Sequence, residues 1–157
     1  MIFNQECPPR FPSTVGREIV MSVIIGIDPH KLLHAACAID ERETELARLE
    51  VRTNSRQVAD LLAWAAPFEC RSWAIESAGG LGYLLAQQLV ARGERVVDVP
   101  ATLSSRVRLL GSGKSTKNDA NDARAVAVAA LRAPQLAAVL VEDHVTILRL
   151  LAKAQLD

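Results

Sequence analysis

The chain has 157 residues, of which 50% are hydrophobic and 23% are charged. This length and composition fit one globular domain with a sizeable core and exclude a wholly disordered chain. Lys and Arg number 18 and Asp and Glu number 18, so the formal net charge is zero. The total charge therefore gives no argument for a nucleic-acid or membrane partner, and any such argument must come from the local distribution of charge.

Targeting signals and cysteine patterns are absent from the sequence. No apolar run approaches the roughly 18 residues of a membrane span, and the N-terminus has no signal-peptide core. Cys7, Cys37 and Cys70 are widely spaced without a Cys-x-x-Cys pattern, so we expect them to remain reduced. These features predict a soluble, cytoplasmic protein.

The chain divides into three predicted segments. Residues 1–20 contain three prolines and scattered charges without periodicity, which predicts a disordered extension. Met21 precedes the first convincing strand and is a candidate for the true start of the chain. A folded domain is predicted over 21–140, followed by the start of a helical linker over 141–157.

Hydrophobic patterns predict five strands. The continuous apolar run Val23–Asp28 is typical of a buried strand, Leu33–Ile39 is a second such run, and residues 45–51 alternate polar and apolar. A short link between the second and third strands suits a hairpin. Two later strands are predicted at 73–76 and 95–99, the last one ending at Pro100.

Helical patterns alternate with the later strands. Ser55 is the predicted N-cap of an amphipathic helix that includes Val58 and Leu61, and further helices are predicted at 81–91 and 119–131. Three strands joined by short turns, followed by alternating helices and strands, combine an antiparallel meander with parallel units. We therefore predict an α/β fold, a mixed sheet of about five strands flanked by helices with a C-terminal helix. Its first strand should lie at the centre, beside the strand at 73–76.

Four acidic residues occupy settings that suit a shared site. Asp28 and Glu76 each end an apolar strand, and open α/β sheets place their ligands beyond the carboxyl ends of strands. Asp119 and Asp122 are three positions apart, so they project from the same face of a helix. Like charges held this close repel unless a cation such as Mg²⁺, which prefers oxygen ligands, neutralises them. The four acids together predict a metal-dependent phosphoryl-transfer site.

Each of these acids also has a purely structural interpretation. Asp28 suits a turn at a strand end, and Glu76 suits the dipole of the helix that follows it. Asp119 and Asp122 suit the start of a capped helix. The joint site is preferred because all four acids fall where one fold would gather them.

An acid-free basic stretch leads into the Asp119 and Asp122 pair. The charged residues between positions 99 and 118 are Arg106, Arg108, Lys114 and Lys117. A basic approach to an acidic, metal-loaded site suits a polyanionic substrate. A solvated loop surface explains the same charges equally well.

Three motifs carry a resemblance to a known family. They are Gly26-Ile27-Asp28 followed by Lys31, residues 73–77 followed by Gly79, Gly80, Gly82 and Tyr83, and Lys117-Asn118-Asp119 followed by Asp122-Ala123. In this order the chain from about position 23 to 131 resembles the DEDD transposases of bacterial insertion sequences related to the invertase Piv. The resemblance implies an RNase H-like (RuvC-like) fold with Mg²⁺ or Mn²⁺ as cofactor. The acids it assigns to catalysis and to metal binding are Asp28, Glu76, Asp119 and Asp122.

The same resemblance implies nucleic-acid partners. Family members act on DNA with the help of an element-encoded structured RNA, and a second, C-terminal domain carries a serine nucleophile. The side chains expected to contact nucleic acid are Lys31, Arg106, Arg108, Lys114 and Lys117. His30 and His34 are expected to be packing or surface residues, because RNase H-like sites depend on carboxylates. Glycines 79, 80 and 82 are expected to let the backbone turn tightly beside Glu76.

The chain ends at Asp157, where family members continue into the serine domain, so we expect a fragment or a decayed copy of a transposase. Apolar residues recur at helical spacing from Val141, which predicts self-association or pairing with intact transposase. Three functions stay open: the catalytic domain of a transposase, a non-catalytic remnant that binds intact transposase, and a free-standing RuvC-like nuclease. Whether the isolated chain is an enzyme stays open with them.

Overall fold

The computed structural model describes residues 21–111 and 119–142. The predicted extension over 1–20 and the predicted C-terminal helix beyond Glu142 lie outside the described residues. Cys7, Lys114 and Lys117 also lie outside them. For Asp119 and Ala120 the description covers the helical backbone.

Five strands form one mixed sheet. The strands are β1 (Val23–Asp28), β2 (Leu33–Ile39), β3 (Glu45–Arg52), β4 (Arg71–Glu76) and β5 (Val96–Val99). Their order across the sheet is β3-β2-β1-β4-β5. The pairs β1–β2 and β2–β3 are antiparallel, whereas β1–β4 and β4–β5 are parallel. The predicted mixed sheet, with its first strand at the centre beside the strand that contains Trp73, is confirmed.

Four helices within the described residues cover both faces of the sheet. They are α1 (Gln57–Ala65), α2 (Tyr83–Ala91), α3 (Ala101–Gly111) and α4 (Asp119–Arg132). Successive strand residues point to opposite faces, so Ile25 and Ile27 pack with α1 and α2 while Ile24 packs with α4. The buried central strands thus lie between two apolar layers. None of these helices has the length and apolar character needed to cross a bilayer.

Helix α3 is not predicted from the sequence, in which these residues form a basic stretch without a clear helical pattern. Pro100 follows the last strand and also precedes α3, because its carbonyl accepts a hydrogen bond from Leu103 N at 2.9 Å in the first turn of that helix. Proline is also a common residue at the start of a helix. Leu103 and Val107, one turn apart, pack against the apolar layer beneath α4. Two apolar positions were too few to show the helical period.

Two smaller predictions were wrong. Helix α1 begins at Gln57 after Arg56, and Ser55 does not cap it. The N-cap position is held by Arg56, without a side-chain cap. Asn54 forms a side-chain turn before the helix, because its Oδ1 accepts a hydrogen bond from Arg56 N at 2.8 Å. Cys37 is free, as expected, and is buried, but Cys70 is disulfide-bonded and not reduced.

A close contact between a helix and the sheet lies at Gly26 in β1. A Cβ atom added there would lie 2.2 Å from Ala123 O and 2.5 Å from Ala127 N, both in the backbone of α4. Glycine is therefore required for α4 to lie directly on β1. The small, buried side chains of Ala123 and Ala127 complete this contact.

We predict that Gly26→Ala destabilises the protein by about 3 kcal/mol or more, because overpacking at a rigid helix–sheet contact typically costs about 1–3 kcal/mol and here the clash is with backbone. The matched control is Gly79→Ala, since an added Cβ at Gly79 meets no atom within 4 Å. That variant should stay within about 1 kcal/mol of wild type. Urea unfolding of the three proteins measures the difference, and equal stability of the two variants would contradict the contact.

Candidate functional site

Asp28 and Glu76 end neighbouring parallel strands. The register of β1 and β4 pairs Ile27 with Ile75, so the next residue of each strand lies at the same edge of the sheet. Glu76 contributes to raising the pKa of the Asp28 carboxyl group, so the two groups are close enough to interact. The predicted juxtaposition of Asp28 and Glu76 is confirmed.

Asp122 brings a third carboxylate to this edge. It lies in the first turn of α4 and is 7% exposed. Its charge acts on Asp28, and both Asp122 and Glu76 approach the guanidinium group of Arg108. Asp119 is the first residue of α4, three positions before Asp122. Three of the four predicted acids are therefore gathered from three separate elements, and the fourth lies one turn away along the same helix.

The environment of Asp28 disfavours its charged form. Burial raises the pKa of this carboxyl group to about 6, and the negative charges of Glu76 and Asp122 act in the same direction. His30 opposes them, because its Nε2 lies 3.0 Å from Asp28 Oδ2. Burial is the larger cause of the raised pKa, and the neighbouring carboxylates add to it.

Helix α3 supplies the polar contacts to Glu76. Ser104 is fully buried, and its hydroxyl group donates a hydrogen bond to Glu76 Oε1. One turn later, Arg108 Nη1 lies 3.1 Å from Asp122 Oδ1 and Arg108 Nη2 lies 3.9 Å from Glu76 Oε1. Ser104 was missed because α3 was missed. Had Pro100 been interpreted as a helix start, the spacing of four residues would have placed Ser104 and Arg108 on one face.

The basic residues predicted to contact nucleic acid divide into three groups. Lys31 and Arg106 are exposed. Arg108 is directed at the acids rather than at solvent. Lys114 and Lys117 lie outside the described residues.

The loop after β1 is held by buried hydrogen bonds. His34 Nδ1 accepts a bond from His30 N at 3.3 Å, and His34 Nε2 lies 3.1 Å from Gln57 Oε1. Burial lowers the pKa of His34, so the neutral ring is favoured. The packing role expected for His34 is confirmed, whereas the contact of His30 with Asp28 was not predicted.

The turn after Glu76 is tight, as the glycines predicted, but its left-handed residue is not a glycine. Ser77 has φ +51°, a conformation that costs a non-glycine residue free energy. Hydrogen bonds hold it on either side, from Ser77 N to Val99 O at 3.0 Å and from Ala78 N to Asp98 Oδ1 at 2.7 Å. These bonds fix the backbone that leaves the site.

The described residues do not present a preformed metal site. Among the described side chains, those of residues 21–111 and 121–142, no group of three or more His, Cys, Asp or Glu is arranged to hold a metal ion. What the structure shows is a cluster of carboxylates partly neutralised by Arg108 and contacted by His30.

Comparison with known families shows to which family the chain belongs. The family model of the DEDD transposases of IS110 elements, described as a transposase, matches residues 25–157. The chain belongs to the IS110 family of DEDD transposases. A relative in Streptomyces clavuligerus, an uncharacterized 44.8 kDa protein of insertion element IS116, is 36% identical over 103 residues. The match covers 66% of this IS110-family chain and 26% of the relative, so the chain spans about a quarter of the relative's length.

Solved structures with a similar fold include RuvC of Thermus thermophilus. RuvC in complex with a Holliday junction substrate gives a TM-score of 0.56, and the match covers 75% of this chain and 99% of the RuvC chain. A second RuvC structure from the same organism gives 0.54, with 74% and 99% covered. Both are 18% identical in sequence. The RuvC-like, RNase H-like fold of this IS110-family transposase domain is confirmed.

We predict that the metal-free domain loses stability as the pH rises from about 4 to about 7. Asp28 has a folded-state pKa of about 6 against an ordinary value of 3.8. Below both values the carboxyl group is protonated in the folded and unfolded chains. Between them the unfolded chain releases the proton while the folded chain retains it, which favours unfolding by up to about 3 kcal/mol above pH 6.

Asp28→Asn should remove this part of the pH dependence, because the amide stays neutral. Asp60→Asn, which removes an exposed carboxylate on α1, is the matched control and should keep the pH dependence of wild type. Chemical unfolding in the presence of a chelator at several pH values compares the three proteins. Parallel pH profiles for wild type and Asp28→Asn would refute the prediction.

Proposed function

We propose that this IS110-family chain is the RuvC-like catalytic domain of a transposase that acts on DNA through a divalent-metal site. The observation that carries the proposal is the convergence of Asp28, Glu76 and Asp122 from β1, β4 and α4 at the carboxyl ends of the central parallel strands. This is the edge at which open α/β sheets bind ligands. Asp119, one turn before Asp122, is proposed as the fourth ligand.

The donor chemistry of the cluster fits a hard cation. Mg²⁺ and Mn²⁺ take carboxylate oxygens as ligands. Burial, together with the charges of Glu76 and Asp122, disfavours the charged form of Asp28, and a bound dication would stabilise that form. A bound metal would supply Lewis-acid stabilisation of the oxygens of the transferred phosphoryl group. The protein's own part is to hold Asp28 at the buried centre and Glu76 against Ser104, and to keep much of the water out.

DNA as the substrate is proposed from the transposase family and from the RuvC neighbour, whose structure contains a Holliday junction. Lys31 and Arg106 are exposed and lie close to the acidic site in the sequence. They are proposed to contact phosphates, together with Lys114 and Lys117. An element-encoded RNA, a second copy of the chain or an intact transposase, and a cytoplasmic location also belong to this proposal. The complete transposition reaction is proposed only for a protein of the relative's full length, because the match covers 26% of that relative.

We predict that Mg²⁺ or Mn²⁺ stabilises the wild-type domain by about 2.7 kcal/mol at a concentration 100 times the dissociation constant. Asp28→Ala should abolish this increment while leaving the metal-free stability near neutral pH unchanged or higher, because it removes one repelling charge. Asp60→Ala is the control and should keep the full increment. Thermal unfolding with and without metal, supported by calorimetric titration, tests the site. Equal metal binding by wild type and Asp28→Ala would refute it.

We predict that the double variant Lys31→Ala/Arg106→Ala weakens binding to unrelated DNA sequences to the same extent. The slope of log affinity against log salt should fall by about 2, because two fewer counterions are released. The matched control is Arg92→Ala/Arg95→Ala, which removes two exposed charges before β5, at the opposite end of the sheet. Fluorescence anisotropy across a salt series measures both slopes, and an identical loss in the two double variants would exclude a specific contact surface.

A further inference from the structure

We infer that Arg108 is a built-in counter-cation of the acid cluster, which holds Glu76 and Asp122 in the metal-free protein and competes with a divalent metal for them. The part that concerns metal rests on the proposed function. The part that concerns the metal-free protein rests on the contacts of Arg108 alone.

The position of the guanidinium group is the first argument. Arg108 bridges carboxylates from two different elements, Asp122 of α4 at 3.1 Å and Glu76 of β4 at 3.9 Å. The side chains are 33% exposed for Arg108, 16% for Glu76 and 10% for Asp122. The contact is therefore partly shielded from water, where an ion pair is stronger than on an open surface.

The charges around the cluster are the second argument. Three carboxylates meet here, and the described groups that oppose them are the Arg108 guanidinium and the His30 ring, whose charge depends on protonation. Lys31 and Arg106 are exposed, and within the described part of the chain neither forms an ion pair with the acids. Arg108 is thus the permanent positive charge that the fold places between Glu76 and Asp122.

A cation in this position has two opposite effects. It lowers the repulsion between Glu76 and Asp122 and so stabilises the metal-free fold. It also repels a dication that approaches the same oxygens. If Arg108 only oriented the two carboxylates, its removal would instead weaken metal binding.

Ser104 separates charge from orientation. Its buried hydroxyl group contacts the same Glu76 carboxylate but carries no charge. Ser104→Ala therefore removes a positioning contact alone, whereas Arg108→Gln removes the charge and retains a polar side chain. Competition predicts opposite effects of the two substitutions on metal affinity, and orientation alone predicts the same effect.

The test is a calorimetric titration of MnCl₂ and MgCl₂ into the metal-free full chain and its variants at fixed pH and salt. Arg108→Gln should bind metal about tenfold more tightly than wild type or better, and its metal-free melting temperature should be lower. Arg108→Lys, which keeps the charge, should resemble wild type. Ser104→Ala should bind metal more weakly.

Arg106→Gln is the matched control, because it removes an exposed charge from the same helix. It should change neither metal affinity nor metal-free stability. If wild type binds metal and Arg108→Gln binds it equally or more weakly, the competition is refuted while the metal site stands. If no protein in the series binds either metal, Arg108→Gln included, the proposed metal site itself is wrong.

Discussion

The contact between α4 and Gly26 is the constraint on which the site depends. Because β1 has no side chain at this position, the backbone of α4 lies directly on the central strand, with Ala123 and Ala127 as the contacting residues. Asp122 immediately precedes Ala123 and is carried with it to the end of β1. A larger residue at position 26 would lift the helix and increase the separation of Asp122 from Asp28. The close packing of the helix on the sheet therefore also brings the acids together.

That packing has an electrostatic cost, which the surrounding residues reduce. Burial and two neighbouring carboxylates raise the pKa of Asp28, so the metal-free site is destabilised near neutral pH. His30, Ser104 and Arg108 each contact one or two of the acids. Together with the strained backbone at Ser77, these features are those expected where a fold gives up some stability for function.

The sequence predicted the sheet well because its strands are buried on both faces or clearly alternating. The bounds of β1 and β2 were predicted to the residue, and so was the central position of β1 beside β4. Asp28 and Glu76 could be placed together for the same reason. The contacts of α3 could not, because Arg108 and Asp122 are brought together by a fold in which their helices pack side by side. The sequence alone does not show whether the side chain of a basic residue near acids faces DNA or the acids.

Helix α3 was hard to recognise for a reason that concerns function. A helix that packs on a core normally shows an apolar stripe, but the inner face of α3 carries Ser104 and Arg108 beside Leu103 and Val107. Polar residues replace apolar ones there because the surface beneath is the carboxylate cluster. The attachment of α3 thus depends partly on the negative charge of the acids, and any ligand that neutralises them weakens one of its contacts. The same residues that obscure the helical pattern in the sequence therefore couple α3 to the charge of the site.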